Sequence, residues 1–395
     1  MSPALKSDDR DAGDAPRLLA DTDIEAHPHA RAVLLPALAP HGNPSHAYLF
    51  YGPAGTGKRR VARAFAAVLL REGARSPETV AERVARDCHA DLTWVRPSGA
   101  AEMLVADIDE PVVAAATRTP FESSRRVFVI EGADAMNDQA ANRLLKTLEE
   151  PPAFTHLVLL ADRREDVLAT IVSRCQSVRF DPLPAEVIAR QLRERDGVGG
   201  EHALACARLA LGDAARARRL ASEEGVKLRE RAREFVRGAL AGETEGRPWL
   251  GLLGAAKAAG AAAGERAQER MQAEAELLPS KERKRYEREG VEARRRGERR
   301  ARTETLDLAL CLAELWLRDV LCVREGAPEL VYAVDRAAEL EHDADGRDAA
   351  ALRRGVELVA DARLSLTLNV SEELALEALA YRLSAAIGPR LGSNP

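Results

Sequence analysis

The segment 52–58 constrains the fold of this chain more than any other part of the sequence. It has the sequence Gly-Pro-Ala-Gly-Thr-Gly-Lys, follows an apolar run (47–51) typical of a β-strand, and precedes an amphipathic run (58–70) typical of a helix. In this context, successive backbone N–H groups and the helix N-terminus form a cradle for phosphate groups. The predicted cradle consists of Gly52, Gly55, Thr56, Gly57 and Lys58. Lys58 is expected to reach the outer phosphates of a nucleotide.

Short apolar runs alternate with helical periodicity as far as residue 180, which indicates a parallel sheet covered by helices. The predicted strands are 47–51, 92–95, 127–131, 156–161 and 177–180. A second amphipathic helix is predicted for 138–149, where Pro151 and Pro152 end it. The fold class is therefore α/β in this part and all-α after it.

The chain has 395 residues, which is too long for one compact core. We expect a disordered tail over 1–23, an α/β core over 24–182, a helical lid over 183–241 and a helical C-terminal domain over 242–395. The segment 281–302 holds eleven Lys or Arg residues against five Glu. A solvated helix face with paired charges is the simpler interpretation of this segment, and a basic surface near DNA is the alternative.

Composition excludes several classes of protein. The formal net charge of −5 gives no overall attraction to nucleic acid or to an anionic membrane. No run approaches the roughly 18 apolar residues of a membrane span, and the N-terminal residues lack the pattern of a signal peptide. The five cysteines are scattered without a Cys-x-x-Cys pair, so we expect neither disulfides nor a zinc site. A cytoplasmic protein without a metal is predicted.

Two positions that nucleotide hydrolysis requires hold unsuitable residues. A Ser or Thr should follow the lysine of the loop to bind Mg²⁺, but Arg59 stands there and a guanidinium cannot coordinate a cation. The strand 127–131 should end in an acidic pair that binds Mg²⁺ and orients water, but it ends in Glu131 followed by Gly132. Because this chemistry depends on positioning and electrostatics, we expect weak ATP binding at most and little turnover.

Several sequence strings resemble, in the same order, those of bacterial DNA polymerase III clamp-loader subunits of the AAA+ family. They are HAYLF (46–50), HADL (89–92), ANRLLKTLEEPP (141–152) and TIVSRC (170–175), with RDVL (318–321), Asn369 and LALEAL (374–379) resembling the collar of these proteins. The resemblance implies an AAA+ core, a small helical lid and a helical collar that serves oligomerisation. Four features depart from the ATP-hydrolysing clamp-loader subunits and resemble the delta-prime group, whose members turn over little ATP. They are Arg59, Gly132, the cysteine-poor stretch 71–86 and Asp162 at a sensor position.

The resemblance also implies roles for three residues. Arg174 corresponds to an arginine finger that reaches the γ-phosphate of ATP on a neighbouring subunit, and Ser173 orients the turn before it. Arg216 resembles the second sensor, which faces the nucleotide of its own chain. An ordinary solvated basic face explains Arg216 and its neighbours Arg218 and Arg219 about as well.

The implied partners are the tau or gamma and the delta subunits of the complex, with the sliding clamp and primed DNA bound through it. Two other classes of function stay open. One is an active ATPase, either a motor-type clamp-loader subunit or a solitary AAA+ remodeller, against which Arg59 and Gly132 argue. The other is a small-molecule kinase, which would not need the Ser-Arg-Cys string.

Overall fold

The computed structural model describes residues 18–19, 22, 24–39, 42–97, 102–276, 280–366 and 371–388. Within these ranges, the side chains at 270, 273–274, 276, 280–289 and 292–293 lie outside the description. The chain forms two compact units, Met1–Val187 with Leu211–Ala214, and Ile188–Ala210 with Ala215–Pro395. Most of the predicted tail (1–23) and Asn369 lie outside the described residues.

The first unit is built on a five-stranded parallel sheet. Its strands are β1 (Ala47–Tyr51), β2 (Leu92–Val95), β3 (Arg126–Glu131), β4 (Thr155–Ala161) and β5 (Gln176–Arg179). The strand order is β2-β3-β4-β1-β5, and all neighbours are parallel. All carboxyl ends therefore lie along one border of the sheet, here called the carboxyl edge, and all amino ends along the opposite border, the amino edge. The five predicted strands are confirmed to within one residue at each end.

Helices cover both faces of this sheet. They are α1 (Pro28–Ala37), α2 (Lys58–Arg71), α3 (Pro77–Ala85), α4 (Val105–Ile108), α5 (Asp138–Glu149) and α6 (Ala169–Val172), with a π-helical turn at Asp109–Ala114. Side chains alternate between the two faces along each strand. In β1, Tyr48 and Phe50 pack with Phe65 of α2 in one core, while Leu49 packs with Leu144 of α5 in the other. The predicted helix 138–149 is confirmed in full.

The second unit is helical. It contains α7 (Ala185–Asp196), α8 (Gly200–Leu209), α9 (Ala214–Ala221), α10 (Glu223–Ala241), α11 (Trp249–Glu276), α12 (Ser280–Arg324), α13 (Ala337–Ala344), α14 (Ala349–Leu366) and α15 (Glu372–Ile387), apart from the first residues of α7 and α9. α12 has 45 residues, so the charged segment 281–302 is part of one long helix.

The lid and collar regions predicted on either side of residue 242 belong to this one compact unit. Ion pairs join them, since Arg229 Nη2 lies 2.7 Å from Asp335 Oδ1 and Arg237 Nε lies 2.9 Å from Asp343 Oδ1. A domain boundary at 242 stays a prediction. The fold class is confirmed as a parallel-sheet core followed by helices. Among the described residues, no helix combines the length and apolar character needed to span a membrane.

Candidate functional site

The phosphate loop lies at the carboxyl edge of the sheet, between β1 and α2. Gly52, Gly55 and Gly57 have φ angles of 144°, 74° and 90°, which side chains with a Cβ rarely allow. At Gly52 the approach is also close, because an added Cβ would lie 1.9 Å from the carbonyl oxygen of Phe180. The loop therefore has the predicted strand, glycine turn and helix, with α2 beginning at Lys58.

Lys58 turns its ammonium group inward. Its side chain is only 8% exposed, and Nζ donates to the carbonyl oxygens of Gly52 and Pro53, the latter at 2.8 Å, and to Asp162 Oδ1 at 2.9 Å. An ammonium group has three hydrogens to donate, so all of them have acceptors within the protein. Thr56 is likewise buried and donates to the carbonyl oxygen of Pro53 at 2.9 Å.

Arg59 pairs with the carboxylate that the resemblance assigns to Mg²⁺. Arg59 Nη2 lies 2.7 Å from Glu131 Oε2, and the side chain of Glu131 is 7% exposed. The other carboxylate oxygen accepts a hydrogen bond from Trp94 Nε1 at 2.6 Å and lies 3.5 Å from Arg96 Nε. A permanent positive charge on the chain itself therefore neutralises this buried carboxylate.

Gly132 stands where the resemblance expects a water-orienting glutamate. Its φ of 73° is left-handed, and an added Cβ would lie 3.0 Å from Pro97 Cγ. The nearby Asp134, which the sequence analysis missed, accepts hydrogen bonds from the backbone N–H groups of Asp162 at 2.8 Å and Arg163 at 3.2 Å. No local sequence signal pairs Asp134 with a loop 28 residues away.

A further carboxylate packs on the phosphate loop itself. Asp213 belongs to the short segment Leu211–Ala214 of the first unit. An added Cβ at Gly55 would lie 1.8 Å from the carboxylate carbon of Asp213, and the backbone N–H of Ala214 donates to the carbonyl oxygen of Gly55 at 3.2 Å. A negative charge at this position opposes the binding of a phosphate group.

Arg174 lies at the amino edge, in the turn between α6 and β5. Its Nη2 lies 2.6 Å from Glu149 Oε1, and its Nη1 donates to the carbonyl oxygen of Thr170 at 3.0 Å and contacts Ser173 Oγ at 3.4 Å. Ser173 Oγ donates to the same carbonyl oxygen at 3.0 Å, so Ser173 supports the turn. The side chain of Arg174 is 35% exposed.

The phosphate loop and Arg174 lie at opposite edges of one sheet. Tyr48 pairs with Gln176 and Tyr51 pairs with Arg179 in the parallel register of β1 and β5. Arg174 precedes this paired stretch and Gly52 follows it, so about six residues of strand, or roughly 20 Å, separate their levels. An arginine side chain cannot cover that distance within one chain.

Comparisons with known proteins find a matching family model and several similar proteins. The model of the family described as "DNA polymerase III, delta subunit" matches residues 29–184. The DNA polymerase III subunit delta' of Bacillus subtilis is 38% identical over 158 residues, which cover 38% of this chain and 47% of that protein. The subunit delta' of Pseudomonas aeruginosa is 36% identical over 204 residues, which cover 49% of this chain and 60% of that protein.

The chain is thus similar, over part of its length, to delta' subunits of DNA polymerase III. It spans about half the length of the curated relatives it matches. The tau subunit of Bacillus subtilis is similar at 31% identity over 152 residues, covering 38% of this chain and 27% of that protein.

The second-sensor role of Arg216, implied by the likeness to clamp-loader subunits, stays a prediction. Within the helical unit, Arg216 Nη2 lies 2.8 Å from the sulfur of the buried Cys311. Arg218 pairs with Asp196 at 3.1 Å, and Arg219 donates to Thr305. All three arginines therefore have partners within the helical unit, and the alternative of a solvated basic face stays open, since Arg218 and Arg219 are exposed.

Histidine and cysteine side chains near the amino edge are held in their neutral forms. His156 Nδ1 donates to the carbonyl oxygen of Ser45 at 2.9 Å, and its Nε2 accepts from Arg125 at 3.0 Å. Burial is the main reason that the pKa of His156 falls to about 4. Burial also raises the pKa of the Cys175 thiol to about 12, which gives this residue no reactive thiolate. The expected absence of zinc stays a prediction.

Proposed function

We propose that this chain is the delta-prime subunit of a bacterial DNA polymerase III clamp loader. In this role it assembles with tau or gamma and delta subunits and helps to load the sliding clamp onto primed DNA. Its own contribution is Arg174, which acts as an arginine finger at the ATP site of a neighbouring subunit. The similarity of residues 29–184 to delta-prime subunits supports the assignment to this complex.

The position of Arg174 is the observation that carries the proposal. It lies about 20 Å along the strands from the phosphate loop of its own chain. An arginine at the amino edge cannot reach a nucleotide in the phosphate loop of its own chain, but its exposed part can contact a ligand held by another chain. A planar guanidinium with a permanent charge suits the transferred phosphate, on which negative charge is spread over three oxygens.

The state of the chain's own loop supports action on a neighbour. Lys58 is bound to Asp162 and to two carbonyl oxygens, and Arg59 is bound to Glu131. A nucleotide would have to displace these ion pairs and the carboxylate of Asp213, and Mg²⁺ would find no hydroxyl ligand after Lys58. We infer that the lone chain hydrolyses little or no ATP.

The test is Arg174→Ala in the complex reconstituted from this chain and its partner subunits. The variant should fold and assemble, because an exposed arginine contributes only about 0–1 kcal/mol to stability. Arginine fingers contribute roughly 10³ to 10⁵ in rate, so hydrolysis at the neighbouring site and clamp loading should both collapse. Arg174→Lys should not restore them, since an ammonium lacks the planar fork.

Arg163→Ala is a suitable control, because Arg163 is also an exposed, singly paired arginine but lies at the carboxyl edge. It should leave both rates unchanged. If the complex with Arg174→Ala assembles, hydrolyses ATP and loads clamps at the parental rate, Arg174 is structural and the proposed mechanism is wrong.

A further inference from the structure

Glu149 holds Arg174 in a defined orientation. Glu149 is the last residue of α5, and its Oε1 lies 2.6 Å from Arg174 Nη2. The carbonyl oxygen of Thr170 and the hydroxyl of Ser173 bind Nη1. The guanidinium is therefore fixed from two sides, by the end of α5 and by the turn that follows α6.

This arrangement uses only part of the donor capacity of Arg174. A guanidinium has five N–H donors, and three contacts with the surrounding protein occupy three of them. Within the described part of the chain, the remaining donors, Nε–H and the second Nη2–H, have no partner. Two N–H groups on neighbouring nitrogens can bind two phosphate oxygens at once, as the planar fork of arginine does in bidentate contacts.

The location of Glu149 argues that its carboxylate does more than stabilise a helix. Negative charge at a helix C-terminus is unfavourable, because the exposed carbonyl groups carry partial negative charge there. Glu149 and the following Glu150 both place a carboxylate at this end of α5. Glu149 has the cation of Arg174 as a partner, whereas Glu150 has no ion pair among the described residues.

We propose that Glu149 is a positioning residue for the arginine finger: it orients Arg174 so that its free N–H fork meets the phosphate of a neighbouring subunit's ATP. The proposal rests on the proposed function, because it requires that Arg174 acts in trans. Glu149 does not contact the nucleotide, and it acts only through Arg174. Removing the Glu149 side chain leaves the positive charge of Arg174 in place but lets its guanidinium occupy other rotamers. The guanidinium then spends a smaller fraction of the time in the reactive geometry.

A double-mutant cycle in the reconstituted complex tests this. Glu149→Ala should lower the rate of DNA-stimulated ATP hydrolysis and of clamp loading roughly tenfold, within the range of couplings between residues in contact. The KM for ATP should change less than about twofold, because only the arrangement at the reacting phosphate is affected. Added to Arg174→Ala, Glu149→Ala should cause no further loss. Glu150→Gln is the matched control and should match the parental complex.

The outcomes separate this proposal from the function on which it rests. If Arg174→Ala has no effect, the proposed function fails and the positioning role fails with it. If Arg174→Ala disables the complex while Glu149→Ala leaves or raises the rate, only the positioning role fails. The positioning role is also overturned if Glu149→Ala causes as large a loss of rate in the Arg174→Ala background as in the parental complex. Glu149→Gln, which keeps an acceptor oxygen and the side-chain volume, should lose less than Glu149→Ala and carries the test if the alanine variant does not assemble.

Discussion

The two edges of the sheet differ in how their cationic side chains are paired and exposed. At the carboxyl edge, Lys58 and Arg59 are bound to Asp162 and Glu131, so the charges of the phosphate loop are neutralised within the chain. At the amino edge, Arg174 is anchored by Glu149 but keeps part of its guanidinium exposed. This contrast supports the proposal that Arg174 acts on a ligand of another chain, while the phosphate loop of its own chain turns over little ATP.

Under this proposal, one subunit combines a degenerate loop with a functional arginine. Different elements build the two sites, because the phosphate loop lies between β1 and α2, whereas Arg174 is held by α5, α6 and β5.

The largest effect concerns turnover at the carboxyl edge. The purified lone chain should hydrolyse ATP at a rate orders of magnitude below the roughly 1 s⁻¹ at the lower end of ordinary enzymes. Any ATP binding should be weak and insensitive to removal of Mg²⁺, because Arg59 replaces the hydroxyl ligand. Phosphate release and titration calorimetry with and without EDTA measure both. Turnover near 1 s⁻¹ that requires Mg²⁺ would show that the phosphate loop at the carboxyl edge is an active ATPase site.

The next effect concerns the amino edge and pH. His156 has a pKa of about 4 in the folded protein against about 6.5 in the unfolded chain, where it takes up a proton more readily. The contribution of neutral His156 to the free energy of unfolding is fully present above pH 6.5. It is lost as the pH falls toward 4, by about 3 kcal/mol in total. Urea unfolding from pH 7 to pH 4 measures this loss. His156→Gln should reduce the slope of the unfolding free energy against pH. An unchanged slope for His156→Gln would show that other groups govern the acid sensitivity of the amino edge.

The smallest effect concerns Gly132. Replacing it with the glutamate that the hydrolytic motif requires should cost about 1–2 kcal/mol for the left-handed backbone. The contact of the new Cβ with Pro97 at 3.0 Å adds to this cost. Gly197→Glu serves as a control, because its φ of 66° is similar but an added Cβ would have no atom within 4 Å. Thermal unfolding should rank Gly132→Glu as the less stable variant, and no ATP turnover should appear.

The strands and the phosphate loop could be predicted from the sequence because their signals are local. Apolar alternation and the Gly52–Lys58 spacing fix β1, the loop and the start of α2 within a short stretch of chain. The contacts that close the loop could not be predicted in this way. Lys58 and Asp162 are 104 residues apart, and only the parallel pairing of β1 with β4 brings them together.

The C-terminal half shows a second limit. The charge pattern delimits the segment 281–302, but the helix that contains it continues without interruption, as α12, to Arg324. The partner of Arg174 was missed as well. Glu149 was part of a recognised string, but its pairing with Arg174 depends on the packing of α5 against the turn after α6.

The inward ammonium group of Lys58 has a consequence for chemical reactivity. Acylating reagents need an accessible, deprotonated amine, and Lys58 is 8% exposed with all three hydrogens donated to oxygen atoms. Lys227, which is 58% exposed with a single partner, should be modified far sooner. The ratio of acetyl labels on these two lysines, read by mass spectrometry, therefore reports how often the phosphate loop opens in the assembled complex.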